Sequence, residues 1–338
     1  MGGSWGSGMM VGMRFEPIDR PAQAFQQSVT PDHIQRIARR VFGRDAVSAA
    51  ELGLGMYNTT YRVTIEGRER PVVMRFAPEP SRQARSEREL MRNEYATAPY
   101  LAPIAPLMPR IIAADWSHEL IGRDYMVQTF LDGVPAPDGL PGYPRPTWTG
   151  FFRRIGEITR TVHDIRGPGF GPVAAPKYRT WSEAVAGSLH ELAADAEDAG
   201  LRGADLRKAA ELAESRSDVL DEITEPRLLT GDLWTVNTMI AKDAPEPTLT
   251  GVLDLDRTWW GDPAADWTIR MANAKKDERL AFWEAYGEPD RTPAAVWRSV
   301  IYEIRHLGAV RLERHRHGQT DEADRSYEEV AAALAEID

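Results

Sequence analysis

The sequence predicts an α+β protein in two lobes, with a small antiparallel β lobe followed by a larger helical lobe. Residues 47–76 include alternating, β-branched stretches, which are typical of antiparallel strands. From residue 151 onward, apolar residues recur every three or four positions, which is typical of helices. A turn-rich stretch at 132–146 separates the two patterns and marks the boundary between the lobes.

The 338 residues are enough for two domains, and the sequence divides into four parts. Residues 1–13 are rich in Gly and Met and lack the features of a secretory signal, so we expect a tag or a disordered start. We assign 14–131 to the β lobe, 132–147 to a linker and 148–338 to the helical lobe.

In the β lobe, Thr30 followed by Pro31 predicts the start of a helix that runs to about residue 42. Residues 61–65 and 71–76 flank a turn and predict two antiparallel strands. The other elements predicted in this lobe are a charged helix at 81–98 and strands at 109–113 and 125–131.

In the helical lobe, Phe151, Ile155, Ile158 and Val162 form one apolar helix stripe. The other elements predicted in this lobe are helices at 181–199 and 205–223 and short apolar strands at 227–229, 238–240 and 249–255.

The composition excludes several classes of protein. The net charge is −10, whereas nucleic-acid-binding modules carry a basic face, so we expect no nucleic-acid partner. Cysteine is absent, which excludes disulfides, thiolate catalysis and cysteine-ligated zinc. The sequence has no apolar run of about 18 residues, so we expect no membrane partner and a cytoplasmic protein.

The acidic charge is concentrated in the second part of the chain. Residues 1–150 carry 17 basic and 16 acidic side chains, whereas residues 151–338 carry 24 basic and 35 acidic ones. A set of solvated acidic helices explains this asymmetry. A field that attracts a cationic small molecule is the alternative.

The densest cluster of polar residues, at 230–237, lies between two apolar runs. Asp232 and Asn237 have the spacing of a phosphoryl-transfer loop, in which Asp accepts the proton of the attacking hydroxyl and Asn binds Mg²⁺. By itself the pattern is weak, and a capping Asp with a turn Asn explains it better. Asp254 favours the catalytic interpretation because it ends an apolar strand, where a kinase places its second metal ligand.

A glycine-containing loop at 53–60 lies between two predicted strands. Gly53 and Gly55 allow backbone N–H groups to approach phosphates, and Asn58 and Thr59 add further donors. A simple hairpin without a ligand is the alternative interpretation.

Arg75 lies near the end of the next strand, and the charged helix that follows offers Glu87, Glu89 or Glu94 as its partner. A strand cation paired with a helix Glu would orient the α- and β-phosphates of a nucleotide. An ordinary surface ion pair is the alternative.

Three stretches, at 231–237, 251–254 and 260–267, resemble the aminoglycoside phosphotransferase family of small-molecule kinases, which are relatives of the protein kinases. The similarity runs in the right order from about residue 47 to residue 266, and more loosely to the end.

The resemblance implies a two-lobed protein-kinase-like fold with Asp232 as the catalytic base and Asn237 and Asp254 as Mg²⁺ ligands. It places the 53–60 loop over the nucleotide phosphates. The resemblance also puts Arg75 at the family's usual lysine position.

Further roles follow from the same resemblance. Glu94 would be the helix partner of Arg75. Gln128 and Phe130 would belong to the hinge, at 127–130, whose backbone meets the purine base. Asp262 and Asp266 would be structural carboxylates.

Two departures from the family pattern stand out. Thr230 replaces the more usual His, which organises the backbone of the loop. Arg75 replaces Lys, and the two are not interchangeable because Arg is bulkier and grips phosphate in a fork.

The expected activity is Mg²⁺-dependent transfer of the γ-phosphate of ATP or GTP to a hydroxyl of a small molecule. By resemblance the leading acceptor is an antibiotic of the aminoglycoside, nucleoside, peptide or macrolide type, which implies antibiotic resistance by inactivation. The acidic lobe favours a cationic acceptor, and the Trp-rich surroundings suit a nucleoside or macrolide as well. The alternatives are a kinase of a metabolite such as a sugar or amino alcohol, and a nucleotide-binding pseudokinase.

Overall fold

The computed structural model describes residues 12–21, 24–53, 55–276 and 279–337. Of the predicted tag or disordered start, residues 1–11 lie outside the described residues. The chain divides into two compact units. One comprises the described residues up to Arg82 together with 110–130, and the other comprises 83–109 and the described residues from 131 onward.

The described residues of the first unit form one six-stranded sheet and one α-helix. Its elements are β1 (Arg14–Glu16), α1 (Pro31–Phe42), β2 (Ala46–Leu52), β3 (Thr59–Ile65), β4 (Val72–Phe76), β5 (Ile111–Asp115) and β6 (Tyr125–Thr129). The strand order is β1-β2-β3-β4-β6-β5, and every neighbouring pair is antiparallel except β1 with β2. This sheet confirms the antiparallel β lobe that the alternating sequence predicts.

Local signals fix the helix of the first unit. The Thr30 hydroxyl accepts a hydrogen bond from the backbone N–H of His33, and Pro31 occupies the first turn. Gly43 ends the helix with a φ of 64°, a conformation that glycine adopts without strain. Ile34 and Ile37 on the inner face are fully buried in a core shared with β3 and β4.

The charged segment at 81–98 is helical only in its second half. The structure has short 3₁₀ turns at Pro80–Arg82 and Arg85–Glu87, followed by α2 at Leu90–Thr97. The Asp195 carboxylate accepts hydrogen bonds from the backbone N–H groups of Arg85 and Ser86, so a tertiary contact holds the chain out of a helix there.

Although the sequence places residues 83–109 in the β lobe, the structure groups them with the second unit. The buried Asn93 side chain on α2 donates to the backbone carbonyls of Asp256 and Thr258 at 2.9 and 2.8 Å. These contacts join α2 to the segment that follows the predicted metal-binding strand.

The second unit is mainly helical. Its further helices are α3 (Ala136–Gly139), α4 (Thr149–His163), α5 (Trp181–Asp198), α6 (Ala204–Ser215), α7 (Ser217–Leu220), α8 (Trp267–Ala274), α9 (Leu280–Tyr286), α10 (Pro293–Arg316) and α11 (Thr320–Ile337). The single helix predicted at 205–223 is therefore two helices, α6 and α7, separated by Arg216. The segment predicted as a linker is ordered, and it buries Ala136 and Leu140 in the core of this unit.

Two small sheets position the polar loops of the second unit. Their strands are β7 (Val134–Pro135), β8 (Gly171–Pro172), β9 (Arg227–Leu229), β10 (Thr238–Ile240), β11 (Leu249–Val252) and β12 (Trp259–Gly261). The strand orders are β11-β10-β7 and β8-β12-β9. The loop at 230–237 therefore leaves one sheet after β9 and enters the other at β10.

Within the described residues, no helix is both long and apolar enough to cross a lipid bilayer.

Candidate active site

Asp266 anchors the loop that carries Asp232. Its carboxylate is 1% exposed and accepts hydrogen bonds from the Thr230 backbone N–H at 2.5 Å and the Thr230 hydroxyl at 2.8 Å. It also accepts from the Gly231 N–H at 3.2 Å, and the His163 ring nitrogen Nε2 lies 2.8 Å away. Thr230 therefore takes part in supporting the loop backbone, and a histidine from α4 reaches the same carboxylate.

The backbone between Thr230 and Asp232 requires glycine. Gly231 has a φ of 80°, and a Cβ at this position would collide with the backbone carbonyl of Arg257. The loop therefore lies directly against the segment that follows Asp254. This close approach brings Asp232 near the second predicted metal ligand.

The structure brings Asp232 and Asn237 into contact. The Asn237 side-chain amide donates to the Asp232 backbone carbonyl at 2.8 Å and to the Asp232 carboxylate at 3.1 Å. Asn237 is held in turn because its carbonyl accepts from the Leu253 N–H at 2.8 Å. That bond links the start of β10 to the residue before Asp254.

Burial raises the pKa of Asp232 to about 7. The positive charge of Arg257 opposes this rise, whereas the negative charges of Asp254 and Glu313 add to it. A carboxyl group with a pKa near neutrality exchanges protons readily under physiological conditions, which suits a general base.

Three carboxylates meet beside this loop. Glu94, Asp254 and Asp256 each place one oxygen within 4.8 Å of the others. Asp254 adopts a left-handed backbone with a φ of 60°, which is costly for a non-glycine residue and is common at functional sites. Three convergent carboxylate oxygens form a donor set that suits a hard divalent cation such as Mg²⁺. Glu94, which the resemblance makes a partner of Arg75, thus lies among the candidate metal ligands.

Of the other two glutamates proposed as partners of Arg75, Glu87 has a different role. Its buried carboxylate accepts from Arg257 at 2.8 Å and forms an ion pair with Arg316 at the end of α10. These two guanidinium groups outweigh burial and lower the pKa of Glu87. Glu89 is exposed, and Arg92 lies 3.1 Å from its carboxylate.

The four predicted phosphate-loop residues lie at the turn between β2 and β3 of the first unit. The Gln26 side chain donates to the backbone carbonyls of Gly55 and Asn58 at 2.9 and 2.8 Å. The Thr59 hydroxyl donates to the Gln27 carbonyl at 3.1 Å. The side-chain oxygen of Asn58 is buried and has no hydrogen-bond donor among the described residues.

Arg75 and the predicted hinge residues lie on the central strands of the same sheet. Arg75 is buried on β4, opposite Met126 of β6. Gln128 is buried within β6, which pairs with a strand on each side, so it is an interior residue of the sheet. Phe130 follows the end of β6, and its carbonyl accepts from Arg70 at 3.3 Å.

A cavity of about 450 Å³ lies in the second unit beside the loop at 230–237, the predicted catalytic loop. Gly231 contributes to its wall, together with parts of α8, α10 and α11. Trp267 and His306 stack face to face on this wall with their ring centroids 4.0 Å apart. Trp234 meets the edge of the Trp267 ring at 5.9 Å.

Sequence reasoning missed several residues of the site. Asp256 and Arg257 lie two and three positions after Asp254, and the density of charge after an apolar strand was the available signal. His163 and Glu313 carried no such signal, because each comes close to the loop only through the packing of distant helices.

A scan against protein-family models matches residues 48–300 to the family described as "Phosphotransferase enzyme family". The comparison with curated protein sequences gives no match.

Solved structures with a similar fold include three kinds of kinase. A mutant of aminoglycoside phosphotransferase APH(4)-Ia in ternary complex with AMP-PNP and hygromycin B has a TM-score of 0.60 at 16% identity, covering 89% of this chain and 98% of that one. The GDP and kanamycin complex of APH(2")-IIIa has a TM-score of 0.62 at 16% identity, with coverages of 90% and 99%. A putative fructosamine-3-kinase from Thermobifida fusca has a TM-score of 0.58 at 20% identity, with coverages of 89% and 98%.

These likenesses confirm the kinase-like fold, and the family match extends over most of the β lobe and over the predicted catalytic residues at 232, 237 and 254. The chain belongs to the phosphotransferase enzyme family and is a small-molecule kinase.

Proposed function

We propose that this kinase transfers the γ-phosphate of ATP or GTP to a hydroxyl group of a small molecule in an Mg²⁺-dependent reaction. The observation that carries the proposal is the contact of Asp232 with Asn237 beside the three carboxylates. A base and a set of hard-oxygen ligands at adjacent positions are what phosphoryl transfer requires.

Asp232 acts as the base. The acceptor oxygen forms a bond to the γ-phosphorus while the bond from that phosphorus to the β–γ bridging oxygen breaks. The hydroxyl proton passes to the Asp232 carboxylate, and the products are a phosphate ester and a nucleoside diphosphate. Because the pKa of Asp232 is about 7, the carboxylate form is populated at neutral pH and holds the proton only weakly afterwards.

Asn237 and Asp254 bind the metal, and Asp256 and Glu94 lie close enough to Asp254 to share in binding it. When bound, Mg²⁺ neutralises the negative charge of the phosphates. The pairing of β10 with β11 sets the positions of these ligands, because Asn237 directly precedes β10 and Asp254 follows β11.

The first unit binds the nucleotide. The backbone N–H groups of the loop with Gly53, Gly55, Asn58 and Thr59 contact the phosphates. Arg75 supplies positive charge to the phosphates. The segment around Phe130 contacts the purine base. A reaction that consumes nucleoside triphosphates favours a cytoplasmic location.

The acceptor that the comparisons favour is an antibiotic, because solved neighbours include complexes with hygromycin B and kanamycin. Antibiotic resistance by inactivation would follow. A metabolite kinase is the second candidate, because the putative fructosamine-3-kinase has the higher identity of 20%, against 16% for the two antibiotic complexes.

A transfer assay tests the proposal. The purified full chain with Mg²⁺ and ATP or GTP is incubated with a panel of hydroxylated antibiotics, sugars and amino alcohols, and a mass gain of one phosphate is measured. We expect Asp232→Asn to reduce the rate by about a hundredfold to ten-thousandfold. The matched control is Asp218→Asn, which removes an exposed carboxylate and should leave the rate unchanged. Equal rates in both variants would exclude Asp232 as the base.

A further inference from the structure

The charged groups that line the cavity beside the 230–237 loop indicate which chemical class of acceptor the cavity binds. The carboxylate, guanidinium and imidazole side chains that line it belong to Arg270, Glu303, Arg305, His306 and Glu336. Arg270 and Glu303 form an ion pair through two hydrogen bonds and neutralise each other. Glu336 on α11 is exposed to solvent, which screens its charge.

His306 carries no charge at neutral pH. Burial lowers its pKa well below the usual value, and the nearby positive charges of Arg270 and Arg305 lower it further. Arg257 and Arg314 act in the same direction. His306 therefore adds no charge to this wall of the cavity, and Arg305 is the cation there that lies outside the Arg270–Glu303 ion pair.

Arg305 remains as the partly buried cation of this lining, and the carboxylate of Glu191, which forms an ion pair with Lys177, acts on it from beyond ion-pair distance. Its Nε donates to the Ser188 hydroxyl at 2.8 Å, and its guanidinium lies 4.5 Å from the centroid of the Trp259 ring. In the part of the chain that the structure describes, neither terminal nitrogen has a protein acceptor, and no carboxylate lies within ion-pair distance. Burial lowers the pKa of Arg305 to about 10, so the group stays charged at neutral pH.

We propose that this cavity binds the acceptor, and that Arg305 binds an oxyanion group of it, such as a carboxylate, while the Trp267–His306 stack contacts an apolar or ring portion. The two terminal nitrogens of Arg305 match the planar fork of a carboxylate. The inference rests on the proposed function, and it names the acceptor class as a hydroxylated anion. The net charge of the lobe favours a cation instead, but solvent screens that charge, whereas Arg305 acts at contact distance.

Three probes that differ only in charge test the proposal. They are 4-(hydroxymethyl)benzoate, 4-(hydroxymethyl)benzamide and 4-(hydroxymethyl)benzylamine, each with one ring and one primary alcohol. Their affinities for the full chain are measured by isothermal titration calorimetry without nucleotide, so that binding is measured independently of phosphoryl transfer. We expect the benzoate to bind at least about tenfold more tightly than the amine.

Variants assign the preference to one side chain. Arg305→Gln should weaken benzoate binding by about tenfold to a hundredfold and leave the benzamide affinity unchanged. Arg305→Lys keeps the charge and should retain part of the preference, and thermal unfolding checks that both variants are folded. Arg207→Gln is the matched control, because Arg207 pairs with Glu197 on the exposed surface and its loss should change none of the three affinities.

The proposal is overturned if the benzoate does not bind, if the amine binds as tightly, or if the preference persists in folded Arg305→Gln. Nucleotide hydrolysis by the wild type with Mg²⁺ is measured separately. An anion preference without any hydrolysis or transfer would contradict the proposed function and leave the charge selectivity of the cavity standing.

Discussion

Replacing Asp266 by Asn tests whether a single carboxylate holds the catalytic loop in place. One oxygen of Asp266 accepts from the Thr230 N–H and hydroxyl and lies 2.8 Å from His163 Nε2, and the other accepts from the Gly231 N–H. An asparagine that keeps its oxygen toward Thr230 must turn its NH₂ group toward the Gly231 N–H. Two donors then face each other in a buried site.

The cost follows from these contacts. A hydrogen bond to a charged group contributes about 1.5–3 kcal/mol and one between neutral groups about 0.5–1.5 kcal/mol, so each of the three retained bonds weakens by about 1 kcal/mol. The lost Gly231 bond adds about 1–3 kcal/mol for an unsatisfied buried donor. We therefore expect the free energy of unfolding to fall by about 4–6 kcal/mol, a large part of a typical total of about 5–15 kcal/mol.

Urea unfolding of wild type and Asp266→Asn measures this difference, and the transfer assay measures activity below the transition. Because a loop displaced by about 1 Å costs about a hundredfold in rate, we expect kcat to fall by at least that factor. The control Asp218→Asn, at an exposed carboxylate 3.7 Å from Arg216, should change stability by less than about 0.5 kcal/mol. A loss below about 1 kcal/mol for Asp266→Asn would refute the anchoring role.

Two further predictions concern charge. Burial raises the pKa of Asp232 to about 7, so the carboxylate form gains population as the pH rises through that value. The initial rate of phosphoryl transfer should therefore increase across neutrality. A rate that does not change with pH in this range would argue against Asp232 as the titrating base. Glu87→Gln leaves Arg257 and Arg316 without their buried carboxylate and should destabilise the protein by about 3–5 kcal/mol in urea unfolding at neutral pH. The folded-state pKa of Glu87 is lowered, so the stability that its carboxylate provides is present above the unfolded-state pKa and is lost as the pH falls through the folded-state pKa. The difference in unfolding free energy between wild type and Glu87→Gln should therefore narrow in acid. A difference that stays constant with pH would contradict the ion-pair explanation.

Local patterns predicted the elements that form by local rules. The helix at Pro31–Phe42 begins at its predicted cap, and the strands around the turn at 66–67 lie where alternation placed them. The segment at 81–98 is the instructive failure, because its composition favours a helix while Asp195, more than a hundred residues away, binds its backbone. Helix propensity is a weak preference that such a tertiary contact overrides.

The candidate site divides in the same way. The spacing of Asp232, Asn237 and Asp254 along two short strands is a local property, so the sequence predicted which residues should meet. Glu94 is different, because the helix predicted at 81–98 offered three glutamates as candidates and only tertiary packing distinguishes their roles. Glu87 pairs with two arginines, whereas Glu94 joins Asp254 and Asp256.

The sequence by itself determined the fold class, the family and the chemical types at the catalytic loop, because these depend on periodicity and on residues close together in the chain. Only the tertiary structure decided the proton affinity of Asp232 and the anchoring of its loop by Asp266 with His163, which lies 103 residues earlier. The position of Arg305 at the cavity wall was likewise decided by folding. The physical reason is that exclusion of water and the sum of nearby charges are set by segments that meet only on folding.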